Sequence, residues 1–222
     1  MRVAAVVAAR NEAGRVGHTV EAIRSIPGVD EVVVADGSSD DVTAEEALGA
    51  GARVLVGPRR HGKGGALEAA LERIAAADVY LLLDADLGRS ARGGEPLLDA
   101  VRSGSADLAI GVLPREPRHG GFRMVKRAAA GAIRRLCGFR ALEPLSGQRA
   151  MTADCLAAVR PLAPGFGVEV AMTIDAVRAG FRVVEVPVTM RHAPTGRDLA
   201  GFVHRGQQAL DLLRVALPRT LG

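Results

Sequence analysis

The chain has no tryptophan, one tyrosine (Tyr80) and five phenylalanines, so aromatics make up only 3% of its 222 residues. That scarcity argues against a stacking platform for single-stranded nucleic acid. Its two cysteines, Cys137 and Cys155, are too few for a disulfide framework and lack a C-x-x-C metal spacing. A reducing compartment, the cytoplasm, is the expectation. Lysine is nearly missing: of 29 basic residues only Lys63 and Lys126 are not arginine. Against 25 acidic residues this leaves a net charge of +4. An arginine bias amid so much alanine and glycine fits the codon usage of a GC-rich genome. Basic surfaces serve many anions, so this charge does not imply nucleic acid. No apolar run reaches the roughly 18 residues of a membrane span. The N-terminal run ends at Ala9, passes into Arg10-Asn11-Glu12 without a cleavage site, and reads as a buried strand.

What is present is an ordinary globular balance, 48% apolar and 24% charged, which excludes disorder as the main state. Short apolar runs alternate with helical patterns. Strands are expected over 3–8, 31–35, 52–56 and 79–83, with helices over 14–26, from Asp40 or Asp41 to about 48, and over 63–76. Continuous apolar strands separated by helices indicate an α/β fold, a Rossmann-like and mainly parallel sheet with helices on both faces. The second half is less regular: strands over 106–112 and 181–190 and one within 145–152, with helices over 123–136, 154–160, 168–179 and 202–217. Pro187 places its strand at an edge, and Gly180 offers a left-handed helix stop.

Ligands of an open parallel sheet collect beyond the carboxyl ends of its strands. Four polar clusters fall there, each after one of the first four strands. They are Ala9-Arg10-Asn11-Glu12, Asp36-Gly37-Ser38-Ser39-Asp40, Arg59-Arg60-His61-Gly62-Lys63-Gly64-Gly65 and Asp84-Ala85-Asp86. Two carboxylates two residues apart on an extended chain point the same way. After the dry run Leu81-Leu82-Leu83, Asp84 and Asp86 therefore suit Mg²⁺ or Mn²⁺, leaving coordination sites for diphosphate oxygens; the alternative is a pair of loop carboxylates capping the next element. Gly62-Lys63-Gly64-Gly65 either cradles a phosphate with backbone N–H groups and an ammonium or is a surface turn. It lacks the spacing of a Walker loop and of a dinucleotide turn. Asp36-Gly37-Ser38 is either a tight turn and cap or an acceptor for a base N–H or a ribose hydroxyl. Asn11-Glu12 either starts a helix or lines the same pocket.

The ordered set A-x-N-E, D-G-S-S-D-D, G-K-G-G-A and D-A-D-L, over about residues 3 to 90, resembles the family-2 glycosyltransferases of the GT-A fold. Where that family usually has Pro-x-Tyr-Asn-Glu, this chain has Ala8-Ala9-Arg10-Asn11-Glu12. The second half is similar to the glucosyl-3-phosphoglycerate synthases and their relatives. Gly120-Gly121-Phe122-Arg123, Glu143-Pro144-Leu145-Ser146-Gly147-Gln148-Arg149, Gly165-Phe166-Gly167-Val168-Glu169 and Arg191-His192 carry that likeness. The group's acceptor-binding Gly-Arg-Val-Thr segment is altered here to Gly121-Phe122-Arg123-Met124-Val125.

The resemblance implies a single domain over 1–222, with a nucleotide-binding half over 1–90 and an acceptor and sugar half over 91–222. It places the donor against Ala8, Ala9, Arg10, Asn11, Glu12, Asp36, Gly37, Ser38, Lys63, Asp84, Ala85, Asp86, Leu145, Ser146 and Gly147. Arg197, after the last strand, is expected on a lid over the donor. The metal falls to Asp86, His192 and Asp84. Catalytic roles fall to Asp86, Glu169 and Lys63, and acceptor contacts to Arg123 and Glu169. The expected activity moves a sugar, glucose first, from a UDP-sugar to a small acceptor, phosphorylated in one version, with Mg²⁺ or Mn²⁺. A polyprenyl-phosphate sugar transferase at the inner face of the membrane is the alternative, because Arg123, Lys126, Arg127, Arg134 and Arg135 crowd one helix. A solvated basic face is the plain reading of the same residues. A sugar-nucleotide pyrophosphorylase would need a glycine-rich loop after the first strand, which is missing, and a non-catalytic nucleotide-sugar binder would lack turnover. The helix around 209–215 could equally pack on a second copy, giving a homodimer.

Overall fold

The structure, a computed structural model, describes residues 1–58, 62–114 and 120–192. Arg59, Arg60, His61, the Arg197 lid and the helix expected over 202–217 lie outside these residues. Among the described residues seven strands form one sheet: β1 (Val3–Ala9), β2 (Glu31–Asp36), β3 (Arg53–Val56), β4 (Val79–Asp84), β5 (Leu108–Val112), β6 (Arg149–Thr152) and β7 (Val183–Pro187). Their order is β3-β2-β1-β4-β6-β5-β7. Only β6 is reversed, pairing antiparallel with both β4 and β5; the other pairs are parallel.

Side chains of a strand alternate between the two faces of its sheet, and here both faces are dry. On β1, Val3, Ala5, Val7 and Ala9 join one core with Val20 and Ile23 of α1 (Val16–Arg24) and Leu97 and Leu98 of α4 (Glu95–Arg102). Ala4 and Val6 join the other, with Leu67 and Leu71 of α3 (Gly62–Leu71), Leu156 of α6 (Ala153–Val159) and Met172 of α7 (Val168–Arg178). The expected α/β sheet covered on both faces is therefore present. Truncating a core residue such as Leu81, fully buried, would cost about 2–5 kcal/mol. A satellite core packs α5 (Gly120–Cys137) on α7 through Ala129, Ile133, Val170 and Ile174.

Several boundaries differ from the sequence expectation. α3 ends at Leu71 rather than near 76, because the chain must turn into the sheet: the N–H groups of Asp78 and Val79 donate to the Arg2 carbonyl. The stretch after Asp84 holds a 3₁₀ segment (Ala85–Gly94) and α4, neither of which was expected from the sequence. Leu97, Leu98 and Val101 do carry a helical apolar spacing there, and Pro96 sits where a first helical turn tolerates proline. α2 (Thr43–Gly49) is capped by neither Asp40 nor Asp41: Val42 holds the N-cap position, and the Asp41 carboxylate accepts the Thr43 N–H at 3.0 Å from one residue further out. Pro187 does end an edge strand, and Gly180 takes φ +84° after α7.

Candidate active site

The carboxyl ends of β1, β2 and β4 lie side by side, with Ala9 opposite Asp36 and Ala8 opposite Asp84. Asn11 and Ser38 both adopt left-handed backbone, φ 56° and 58°. Side-chain oxygens tie their two loops together. The Asn11 N–H donates to Ser39 Oγ at 2.9 Å, and Asn11 Oδ1 accepts the Asp40 N–H at 2.9 Å. Ser39 in turn donates its hydroxyl and its N–H to Asp36, which is buried. Gly37 lies against Arg10 and donates its N–H to the Ala9 carbonyl. Glu12 lies ahead of α1, which begins at Val16, and its carbonyl accepts from Arg15 and Val16 in the turn that leads into the helix. Burial raises its carboxyl above the usual range, with Asp86 and Asp84 adding to the rise against the opposing effect of Arg15.

Asp84 ends β4 in extended backbone, but Asp86 belongs to the following 3₁₀ segment. The two carboxylates therefore converge through a strand-to-helix turn, not along an extended chain as the spacing had suggested. Thr19 of α1 holds that turn: its buried hydroxyl donates to the Ala85 carbonyl at 2.6 Å and accepts the Gly88 N–H at 2.8 Å. The 3₁₀ segment also packs against the chain leaving β7. Gly93 approaches Thr189 and Met190 too closely for any side chain, and Ser90 Oγ accepts the Arg191 N–H at 3.0 Å. This docking delivers His192, 106 positions away in sequence, to Asp86, with Nδ1 2.9 Å from one carboxylate oxygen. Asp84, Asp86 and His192 each place one donor atom within 4.8 Å of the others.

Lys63 opens α3. Its glycine turn is packed rather than open: Gly62, at φ +58°, lies against Gly165, and Gly64 against the Ala163 carbonyl. The glycines thus bring α3 against the segment before α7, and the ammonium of Lys63 bridges Asp84 at 2.5 Å and Glu169 at 2.7 Å. Burial alone would lower the Lys63 ammonium, but the two carboxylates outweigh it and raise it. Burial alone would raise Asp84; Lys63, His192 and hydrogen bonds from Lys63 and Gln148 hold it below the usual range. Gln148 both donates to Asp84 Oδ2 at 2.6 Å and accepts the Asp84 N–H at 3.1 Å. Gly147 lies directly over this pair, where a Cβ would come 2.7 Å from Asp84 Oδ2 and closer still to the Lys63 ammonium. Ser146 is buried and Leu145 half-buried at the edge of the satellite core.

The structure thus gathers Asp84, Asp86, His192, Lys63, Glu169 and the Ser146-Gly147 turn. Asp36, Asn11 and Glu12 flank them, whereas Arg123 is exposed on α5. Lys126, grouped with the basic helix, is paired with Glu143 at 2.5 Å. Two polar residues were given no role in advance. Gln148 and Arg149 are both fully buried, and a glutamine–arginine pair leading into the short apolar strand Arg149–Thr152 was the available signal. Burial lowers Arg149 to about 10, against the opposing pull of Glu169 and Glu185, so it stays charged at neutral pH.

The profile of Glycosyl transferase family 2 matches residues 4–160. The chain belongs to that family. It is 32% identical over 192 residues to the glycosyltransferase AglJ of Haloferax volcanii, an alignment covering 85% of this chain and 62% of that protein. The chain spans less than two thirds of that relative's length. It is 33% identical over 238 residues to the undecaprenyl-phosphate mannosyltransferase of Micrococcus luteus, covering 98% and 95% of the two. Among solved structures, glucosyl-3-phosphoglycerate synthase from Mycobacterium tuberculosis in complex with Mn²⁺, UDP-glucose and phosphoglyceric acid superimposes with a TM-score of 0.81. That match has 26% identity and covers 98% of this chain and 79% of that one. The fold is therefore GT-A. Among the described residues, no helix is long and apolar enough to cross a membrane.

Proposed function

We propose that this chain is a metal-dependent glycosyltransferase that moves a hexose, glucose first, from a UDP-sugar to a phosphorylated acceptor. The observation that carries this reading is the cluster Asp84, Asp86 and His192 at the carboxyl end of β4. Two carboxylates and one imidazole form a hard-to-borderline donor set that fits Mn²⁺ or Mg²⁺. Both Asp84 oxygens already accept hydrogen bonds, so Asp86 and His192 are the principal holders and Asp84 the supporting one. When bound there, the ion would neutralise charge developing on the departing diphosphate.

The chain's own residues do the rest. Asp36 and the Ala8–Glu12 loop receive the uridine, with Gly37 and Ser38 closing its floor and Ala85 beside the ribose. The Leu145-Ser146-Gly147 turn, lacking a side chain at its tip, lets the sugar diphosphate approach Lys63. Lys63 fixes Glu169 by a direct ion pair, and Glu169 orients the sugar and the incoming acceptor. Arg123 supplies positive charge for an acceptor phosphate at the start of α5. Mn²⁺-dependent release of UDP from UDP-glucose tests the reading. No release from several nucleotide sugars, with either ion, would refute it.

A second acceptor class is favoured by one comparison: the mannosyltransferase acting on undecaprenyl phosphate matches nearly the whole chain. The exposed Arg123, Arg127, Arg134 and Arg135 on α5 suit an anionic membrane surface. Radiolabelled sugar passing into the organic phase, with undecaprenyl phosphate as acceptor, would select this class. Label confined to water with 3-phosphoglycerate would select the other.

A further inference from the structure

Arg149 stands where the sheet calls for an apolar residue. Its register partners on both neighbouring strands are Leu82 and Ile110, and its side chain is fully buried. Nε donates to the Ser146 carbonyl at 2.9 Å, and Nη1 donates to Thr173 Oγ1 at 3.0 Å. The Thr173 hydroxyl passes the contact on, donating to the Glu169 carbonyl at 2.9 Å. Nη2 has no hydrogen-bond partner among the described residues. A buried N–H without a partner disfavours folding, so this guanidinium is a poor choice for stability alone. One of its two bonded arms reaches the turn that carries Ser146 and Gly147, and the other reaches Thr173, whose hydroxyl leads back to the first turn of α7 and Glu169.

These contacts close a ring. Asp84 is joined to Lys63, Lys63 to Glu169, the Glu169 backbone to Thr173, Thr173 to Arg149, and Arg149 to Ser146. Gln148, between Ser146 and Arg149 in the chain, returns to Asp84. We infer that Arg149, acting through Thr173, is a positioning residue that fixes the spacing between the Ser146-Gly147 turn and Glu169. It touches neither carboxylate of the Lys63 bridge. It holds the backbone of the turn and, through Thr173, that of α7, so that the turn and Glu169 move as one body. The kinetic consequence rests on the function proposed above; the mechanical one does not.

Two substitutions separate the link from general packing. Arg149→Lys keeps the buried charge but cannot span both acceptors, and Thr173→Val removes only the relaying hydroxyl; Thr173→Ser retains it. Hydrogen exchange is read on amides of 143–148 and 165–173. Both segments are expected to exchange about tenfold faster in Arg149→Lys and in Thr173→Val, with Thr173→Ser near wild type. Unchanged exchange, or a change confined to one segment, overturns the link whatever the enzyme's donor. If Arg149→Lys fails to fold, the Thr173 pair decides. Mn²⁺-dependent UDP release supplies the kinetic arm: kcat falls about 10- to 100-fold in both link-breaking variants, while KM for UDP-glucose stays within about twofold. A preserved kcat overturns the positioning role. Absence of release in the wild type would refute the proposed donor chemistry and leave exchange to decide the link.

Discussion

Lys63→Met would remove the ammonium that stands between the partly buried Asp84, at 2.5 Å, and the buried Glu169, at 2.7 Å. Lys63 and Asp84 are both largely shielded from solvent, with side chains 17% and 22% exposed. Removing one partner of such a buried ion pair costs about 3–5 kcal/mol, since the remaining charge loses its compensation. For a chain of this size each kcal/mol moves Tm by about 2–4 °C, so Tm should fall by about 6–20 °C near pH 8. The pH dependence sharpens the test. In the wild type Asp84 is held below its usual range, so its stabilisation is complete above the unfolded carboxylate value and lost only as pH falls through the lowered folded value. Without Lys63, burial dominates at Asp84 and raises its folded carboxyl above the unfolded value. The penalty is then largest at high pH and shrinks as acid protonates Asp84. Thermal unfolding by circular dichroism from pH 8 to pH 5 should therefore show the two Tm values converging. A gap below about 2 °C at pH 8, or one that stays constant or widens towards pH 5, would refute this account of the bridge.

Asp86→Asn and His192→Ala should each weaken Mn²⁺ binding at least about tenfold by titration calorimetry; unchanged affinity would place the ion elsewhere. Gly147→Ala should cost about 1–3 kcal/mol in chemical denaturation, because its Cβ meets Asp84 and Lys63, and it should reduce UDP release more than it reduces stability. Asp36→Ala removes a buried carboxylate at the proposed uridine pocket, and UDP binding should weaken by about 1.5–3 kcal/mol, the worth of a charge-assisted hydrogen bond. Equal affinity for UDP in wild type and variant would assign Asp36 to the loop alone.

The parallel half of the fold was legible because β1, β2 and β4 are continuous apolar runs, and the dry run before Asp84 marked the mouth of the sheet. The meeting of Asp84 with Asp86 was also readable, though by the wrong geometry: the spacing suggested an extended pair, and a 3₁₀ turn held by Thr19 makes the contact. His192 was reached only by resemblance, since nothing local to it records its docking through Ser90 and Gly93. The glycines around Lys63 looked like an open phosphate turn from sequence. Their actual neighbours, Ala163 and Gly165, lie a hundred residues on, and such close approaches leave no periodic trace. Arg149 was hidden for a related reason. A charged residue at a strand start reads as exposed until its partners, Ser146 and Thr173, are known.

The reversed strand β6 has a consequence for a chain made from its N-terminus. Residues 1–84 contain β1 to β4, but among the described residues one edge of β4 is covered by 149–152 alone. An uncovered strand edge beside apolar side chains is a template for pairing with another chain. At about 5–20 residues per second, some 65 further residues take roughly 3–13 s to emerge. For that interval the first four strands expose Val79 to Leu82 with their N–H and carbonyl groups unpaired. The nascent chain is therefore most open to mispairing from the moment β4 leaves the ribosome until β6 follows it.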